Sequence, residues 1–537
     1  MRLDRARLRV LLPLLVSFLW SVFFAAVPTP ARAAELVIGL GAEVTSLDPH
    51  FHLLLPNNLV RSHIFDALTK PDEHRRPGPG LAVDWKPVGG TAWDFTLRRG
   101  VLFHDGTPFT AVDAAASLRR ALTVQGSPYP YSSILRSVAG VEVVDDHTLR
   151  IRTKVPDATI PAAVGQIAVI PARLAQATRA NFDGGAAVIG TGPFRFAASR
   201  GLAEITLTAN PGYWGGRASW DGVTLRVIPS AVERVAALLA GAVHIIDQVP
   251  PADVLRLHGE PRITVRTGLS ARLIYLALDG GRGNSPFVTG RDGRPLAVNP
   301  LRDPRVRRAM SKAINRQGTV ELVMEGLGSP AGQLLPEGFF GTSPSLHPDS
   351  YDPEGAKRLL AEAGWPDGFA ITLHAPNNRY TNDGAVARTL GVALSRIGIA
   401  TRVETMPAAE FFQRAAKLEF SVYMAGIAST LGETTDVLES LVATFDEGRN
   451  RGWINRMRYS NPDLDTLLDR AVATLDPKGR ESMLRAASEL AMADAAVLPL
   501  YFESKVWAMR REYSFTPRAD EVTLAADVAP TRPSAAN

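Results

Sequence analysis

The sequence predicts an α/β protein of more than one domain, on three observations. First, 537 residues with 46% hydrophobic and 21% charged side chains are an ordinary globular composition in a chain too long for one core, so two or three domains are expected. Second, Phe369, Ile371 and Leu373 alternate as a strand, Val386, Leu390, Leu394 and Ile397 stripe a helix, and Thr401, Val403 and Thr405 alternate again. Strand–helix–strand at this spacing predicts a parallel pair with a right-handed crossover. Third, the run from Ile189 to Trp214 reads as a Gly-rich turn, a strand, a second turn and a strand closed by Tyr213-Trp214. It follows about 150 residues that look like a finished unit, so the chain is expected here to return to a sheet begun near its N-terminus.

The elements follow in order. Arg2 to Arg9 is a basic segment, Val10 to Val27 is almost wholly apolar, and Ala31-Arg32-Ala33 offers small residues where a signal peptidase inspects them. Residues 1–33 therefore read as a secretory signal, leaving a soluble, exported chain without a lipid anchor; no N-terminal Cys exists to carry one. Glu35–Leu40 is a first strand, and Trp93, Phe95 and Leu97 alternate along another. Thr110 caps a helix with Asp113 three residues on and Val112, Ala115, Leu118 and Leu122 on one side. Val141/Val143 and Leu149/Ile151 face each other across a turn at Asp145-Asp146-His147. Ser230 caps the next helix. Asp303-Pro304, Asp352-Pro353 and Asn461-Pro462 each open a helix, the Pro occupying a position whose N–H would go unbonded. Pro407 to Lys417 is a further helix, Phe420 to Met424 a further strand, and another helix starts at Pro477. Val497 to Phe502 is a strand, and Pro499 within it argues for a sheet edge. The Ala-, Pro- and Ser-rich tail, 529–537, is expected to be disordered.

Composition also excludes chemistry. With no cysteine there is no disulfide scaffold, Cys-ligated metal or thiol nucleophile. The formal charge of +5 comes mostly from residues 1–33; the remainder carries 54 basic and 53 acidic side chains, with no basic block suited to nucleic acid. His50 and His52 lack a third ligand at fixed spacing, and His104-Asp105 sits in a Gly-bounded turn, so hydrogen-bonding roles are favoured over a metal site or a dyad. No nucleophile-elbow, phosphate-loop, zincin or dinucleotide motif is present. No cofactor and no metal are expected. Polar and aromatic loop residues carry more weight. Tyr129 lies among prolines. Arg379, Tyr380 and Asn382 follow a parallel strand, where open α/β sheets place ligand loops, and so do Ser429, Thr430 and Glu433. These seven are the expected ligand-binding residues, facing one cavity.

An ordered set of runs then resembles a known family. They include SLDPH at Ser46–His50, IFDALTK at Ile64–Lys70, GTGPF at Gly190–Phe194 and NPGYWGG at Asn210–Gly216. LRDPRVRRAMSKAINR at Leu301–Arg316 and RYSNPDLDTLLDRA at Arg458–Ala471 continue the set. The chain resembles family 5 extracellular solute-binding proteins, the dipeptide, oligopeptide and nickel group of ABC importers. The resemblance implies a type II-like periplasmic binding protein: two lobes built from three domains, closing over solute in an interlobe cleft. A split domain I would comprise 34–67, 189–270 and 485–528, with domain II at 68–188 and domain III at 271–484. It further implies a monomer in the periplasm that delivers a small peptide, or a peptide-like or polar organic solute, to membrane permease subunits. Peptide-binding members place an Asp where Ser429 stands in Gly426-Ile427-Ala428-Ser429, to meet the peptide ammonium. Glu433 is the candidate replacement, and opines, sugar-linked solutes and glutathione-like molecules stay open. The alternatives are an exported hydrolase or isomerase, and a chaperone-like or chemoreceptor-linked binding module with a shallow groove.

Overall fold

The computed structural model describes residues 34–72, 75–127 and 130–531. The segment read as a secretory signal, Tyr129 and most of the tail lie outside them.

A twelve-stranded mixed sheet organises the molecule, and strands from both ends of the chain build it. Glu35–Leu40 pairs in parallel with Gly222–Val227 on one side and Ile245–Ile246 on the other, and Ile245 faces Met509. Glu204–Ala209 and Phe194–Arg200 extend the same edge outward. The chain thus returns after Ile189 to the sheet opened at Glu35, as the sequence indicates. Gly190 makes the return possible, because a Cβ there would lie 2.2 Å from the carbonyl oxygen of Ile64.

Two long antiparallel strands, Ile263–Leu278 and Val497–Arg510, run from this region into the second half of the sheet. Their first-lobe ends bury Val265, Val506 and Ala508 in one core, while Leu273, Tyr275 and Phe502 belong to another. The ladder shifts register between Leu269 and Leu273. Two continuous strands, their ladder irregular between Leu269 and Leu273, join the two halves of the sheet.

The second lobe holds the expected α/β unit. Ala370–Pro376 and Ala400–Met406 pair in parallel over seven residues, with the helix Asp383–Arg396 as the crossover. Val422–Ala428 joins Ala370–Pro376 in parallel and Arg272–Leu278 antiparallel. The Asp–Pro and Asn–Pro starts form as expected: Asp303, Asp352 and Asn461 each accept a first-turn N–H. A separate four-stranded antiparallel sheet, Ala82–Val88, Ala92–Leu97, Thr148–Thr153 and Val138–Asp145 in spatial order, lies against the helix Ala111–Thr123. Val141 faces Ile151 and Val143 faces Leu149, the register read from the sequence.

Four details depart from expectation. The strand expected at an edge is flanked on both sides from Tyr501 on, by Ile263–Leu278 and by Gly328–Pro330, while Pro499 itself is paired on one side only. A second register shift, between Ile274 and Tyr275, falls beside Pro499 and relieves the ladder of its missing N–H. Val112 is half exposed; the buried face of its helix runs through Ala111, Ala114, Ala115 and Leu118. Ala529 and Pro530 are not tail but strand, paired to Ser514 and Tyr513. The boundary expected at Arg485 falls inside the helix Pro477–Ala493, whose Leu484, Ala487 and Ala491 share a core with Leu273 and Tyr423.

Candidate functional site

The two lobes meet around a cavity of about 660 Å³. Its first-lobe wall comes from the helix Leu55–Ile64, the stretch through Asp66 and Lys70, and the Tyr213–Ser219 turn. The facing wall comes from the crossing strand at Ser270–Arg272, the loop at Ala428–Thr430, and the segment Arg518–Glu521.

Asp66 organises the first wall. Its Oδ2 accepts from Trp214 Nε1 at 2.8 Å and Thr191 Oγ1 at 2.9 Å, and its Oδ1 from Tyr213 OH at 3.2 Å. Burial raises its pKa, and these donors and Lys70 oppose the rise. The aromatic corner Tyr213-Trp214 thereby clamps the return of the chain onto IFDALTK. Arg98 lies over the Trp214 ring at 4.2 Å and backs it.

The opposite wall is a chain of ion pairs. Arg272 contacts Glu521 at 3.1 Å and Glu503 at 3.7 Å, and Lys505 contacts Glu503 at 2.9 Å. Burial pushes the Glu521 carboxyl up, but Arg272, Lys505 and the Ser270 hydroxyl outweigh it and hold the pKa at about 2. Asp520 pairs with Arg518 at 2.7 Å and Arg75 at 3.1 Å.

The lobes touch beyond the cavity as well. Arg75 Nη2 donates to the Thr430 carbonyl at 3.1 Å, so a first-lobe guanidinium holds the second-lobe loop. Gly432 has a φ of +79°, and a Cβ on it would stand 2.4 Å from Arg75 Cβ. Leu431 is buried within the core of the four-stranded sheet, and Arg136 pairs with Glu439 across the same seam.

The structure distributes the sequence-nominated residues unevenly. Ser429 and Thr430 line the cavity. Arg379, Tyr380 and Asn382 are not part of its wall. Asp383 gathers their loop by accepting from the N–H of Arg379 and Tyr380, and Asn382 donates to the Val323 carbonyl. Tyr380 is buried behind the wall, its hydroxyl donating to Gly426. Glu433 is off the wall too, and is buried in a pair with Arg480. Ser429 donates to Asp436 at 2.7 Å, and Asp436 also accepts from the N–H of Thr430 and Leu431. Burial lifts its pKa to about 6 against those donors. Asp66, Lys70, Arg75 and Arg272 were not nominated; of these, Asp66 and Lys70 fall within IFDALTK.

The histidines have structural partners. His50 Nε2 bonds the Ala168 carbonyl at 2.7 Å, beside the buried Asp48–Arg120 pair, and burial lowers its pKa to about 4. His104 Nδ1 accepts from Gly190 N–H, so its Nε2–H donates to the Gly192 carbonyl. Among the described residues no group of three metal-ligating side chains occurs. The cavity wall holds one imidazole among the described residues, His63, and both its nitrogens are engaged, with the Leu59 carbonyl and the Ala525 N–H. That leaves no free imidazole base on the wall among the described residues.

Known proteins share this architecture. The family model described as bacterial extracellular solute-binding proteins, family 5 middle, matches residues 76–448. The chain is 27% identical over 452 residues to heme-binding protein A of Haemophilus influenzae, covering 79% of this chain and 78% of that protein. It is also 27% identical over 490 residues to a glutathione-binding protein of Salmonella choleraesuis, covering 89% and 91% of the two chains. The solved structure of HbpA2 from Haemophilus parasuis superposes with a TM-score of 0.80 at 23% identity, over 93% of this chain and all of that one.

Proposed function

Because the chain belongs to the bacterial extracellular solute-binding proteins of family 5, we propose that it captures a small peptide or a peptide-like, polar organic solute between its lobes and passes it to the permease subunits of an ABC importer. The proteins it matches are binding proteins of transport systems, not enzymes. In this reading residues 1–33 direct export to the periplasm, and the chain works as a monomer. The arrangement is type II-like, with domain I split among 34–67, 189–270 and the C-terminal segment, and the helix Pro477–Ala493 counted with domain III.

The observation that carries the proposal is a cavity of this size between the lobes, lined from both of them and flanked by the crossing strand at Ser270–Arg272. About 660 Å³ is room for a solute of a few residues. Closure by Arg75 and Leu431 removes that solute from water, and a solute that binds only the closed form shifts the population by its difference in affinity. Micromolar affinity needs about −8 kcal/mol, within reach of a few buried hydrogen bonds and apolar contacts. Glutathione, heme, short peptides and opines form the first panel, on the names of the relatives and the openness of the sequence reading.

The test is a thermal-shift and calorimetric screen of the purified chain against that panel. One class should raise the melting temperature with one-to-one stoichiometry, and chemically unchanged solute should be recovered afterwards. Turnover of a panel member instead of its recovery would refute the receptor reading.

A further inference from the structure

Apolar and polar groups both line the cavity, and its charged side chains are not balanced. Among the described residues, six Arg or Lys side chains line it against three carboxylates. The carboxylates are all committed within the protein. Asp66 accepts three side-chain donors, Asp520 holds Arg518 and Arg75, and Glu521 holds Arg272 and Ser270. Behind the wall, Glu433 and Asp436 are committed too, to Arg480 and to the Ser429–Leu431 loop. Among the described residues no carboxylate is left for a solute ammonium, and Ser429 already donates its hydroxyl proton to Asp436.

The cations divide differently. Arg75, Arg272 and Arg518 are spent on Asp520, Glu521 and Glu503, and Arg217 leans into solvent beside Asp221. Arg61 and Lys70 line the first-lobe wall without a direct ion pair among the described residues; the charge of Lys70 is felt by the Asp66 and Asp527 carboxylates, and that of Arg61 by no wall carboxylate. Arg61 is steadied by the Gln166 carbonyl and by the Tyr131 ring at 5.8 Å, a hold that orients the guanidinium and leaves its charge uncompensated. A cation on the wall of a closing, low-dielectric chamber keeps its charge at low cost only if an anion enters with the solute.

Resting on the receptor reading above, we infer that the solute is a carboxylate-bearing anion, with Arg61 and Lys70 as the residues that select it by charge-assisted hydrogen bonds. A zwitterion held chiefly by its ammonium, or a cation, finds no uncommitted carboxylate among the described residues of this wall.

The experiment uses native mass spectrometry on the full mature chain. Wild type and an Arg61→Gln/Lys70→Gln double variant are analysed as purified, and after exposure to an equimolar mixture of citrate and the dipeptides Glu-Glu, Ala-Ala and Lys-Lys. Melting of each variant confirms that it is folded; Lys70→Gln alone serves where the double variant is not. The expected result is that wild type retains a solute anionic at neutral pH, and that retention falls at least about tenfold in the variant and weakens with added salt. Retention of a neutral or cationic solute, or equal retention by the variant, overturns the inference and leaves the receptor reading standing. No retained solute in either protein overturns both.

Discussion

The two walls of the cavity use charge in opposite ways. On the hinge side, Arg272, Glu521, Glu503 and Lys505 neutralise one another within the fold, and Arg518 and Arg75 neutralise Asp520. On the first-lobe side, Asp66 is consumed by the Tyr213-Trp214 corner, while Arg61 and Lys70 make no direct ion pair among the described residues. Charges of the first kind hold the lobes and the crossing strands in place. Charges of the second kind contribute little to folding and stay available to an incoming molecule. Mere presence of an ionisable side chain on a cavity wall therefore says little about ligand recognition until its partners are counted.

Breaking the hinge-side network should have the largest effect. Arg272→Ala leaves buried Glu503 and Glu521 with Lys505 as their one remaining cation in this network, and should cost about 3 kcal/mol in urea denaturation. Acid should act on the same network. Glu521 has its pKa depressed from 4.5 to about 2, so its contribution is complete above pH 4.5 and is lost as pH falls toward 2. That contribution is about 3 kcal/mol, and Glu521→Gln should flatten the acid limb of stability measured between pH 5 and 2. At the seam between the lobes, Gly432→Ala meets both a left-handed backbone and Arg75. It should cost about 1–2 kcal/mol and weaken solute affinity by roughly tenfold, read by calorimetry. The smallest stability change belongs to the other wall: Lys70→Gln should alter the unfolding free energy by less than about 0.5 kcal/mol, so any loss of solute binding it causes is a loss of recognition.

Much of the framework was legible because it depends on local rules. The crossover at 370–406, the Asp–Pro helix starts and the Val141–Ile151 register follow from periodicity and from unbonded N–H groups at helix ends. Pro499 reports only its own surroundings: it is paired on one side, where the ladder shifts register, while the strand is flanked on both sides from Tyr501 on. The site was less legible. Both loops after parallel strands were nominated on position, but Asp383 draws 379–382 inward while Ser429 and Thr430 reach the cavity. Whether a loop reaches solvent space or folds back depends on side-chain partners that sequence spacing does not encode. The first-lobe wall was missed for a similar reason: Asp66 meets Trp214 across 148 positions, and no pattern within IFDALTK reports which of its charges is already spent.

The central claim is that the lobes shut on a solute about the two crossing strands. Small-angle scattering of the mature chain, before and after its bound solute is removed by exhaustive dialysis, tests this most directly. The account predicts a larger radius of gyration for the emptied protein and a return to the compact value when the released solute is added back. Identical scattering in both states, with solute demonstrably bound in one, would contradict it.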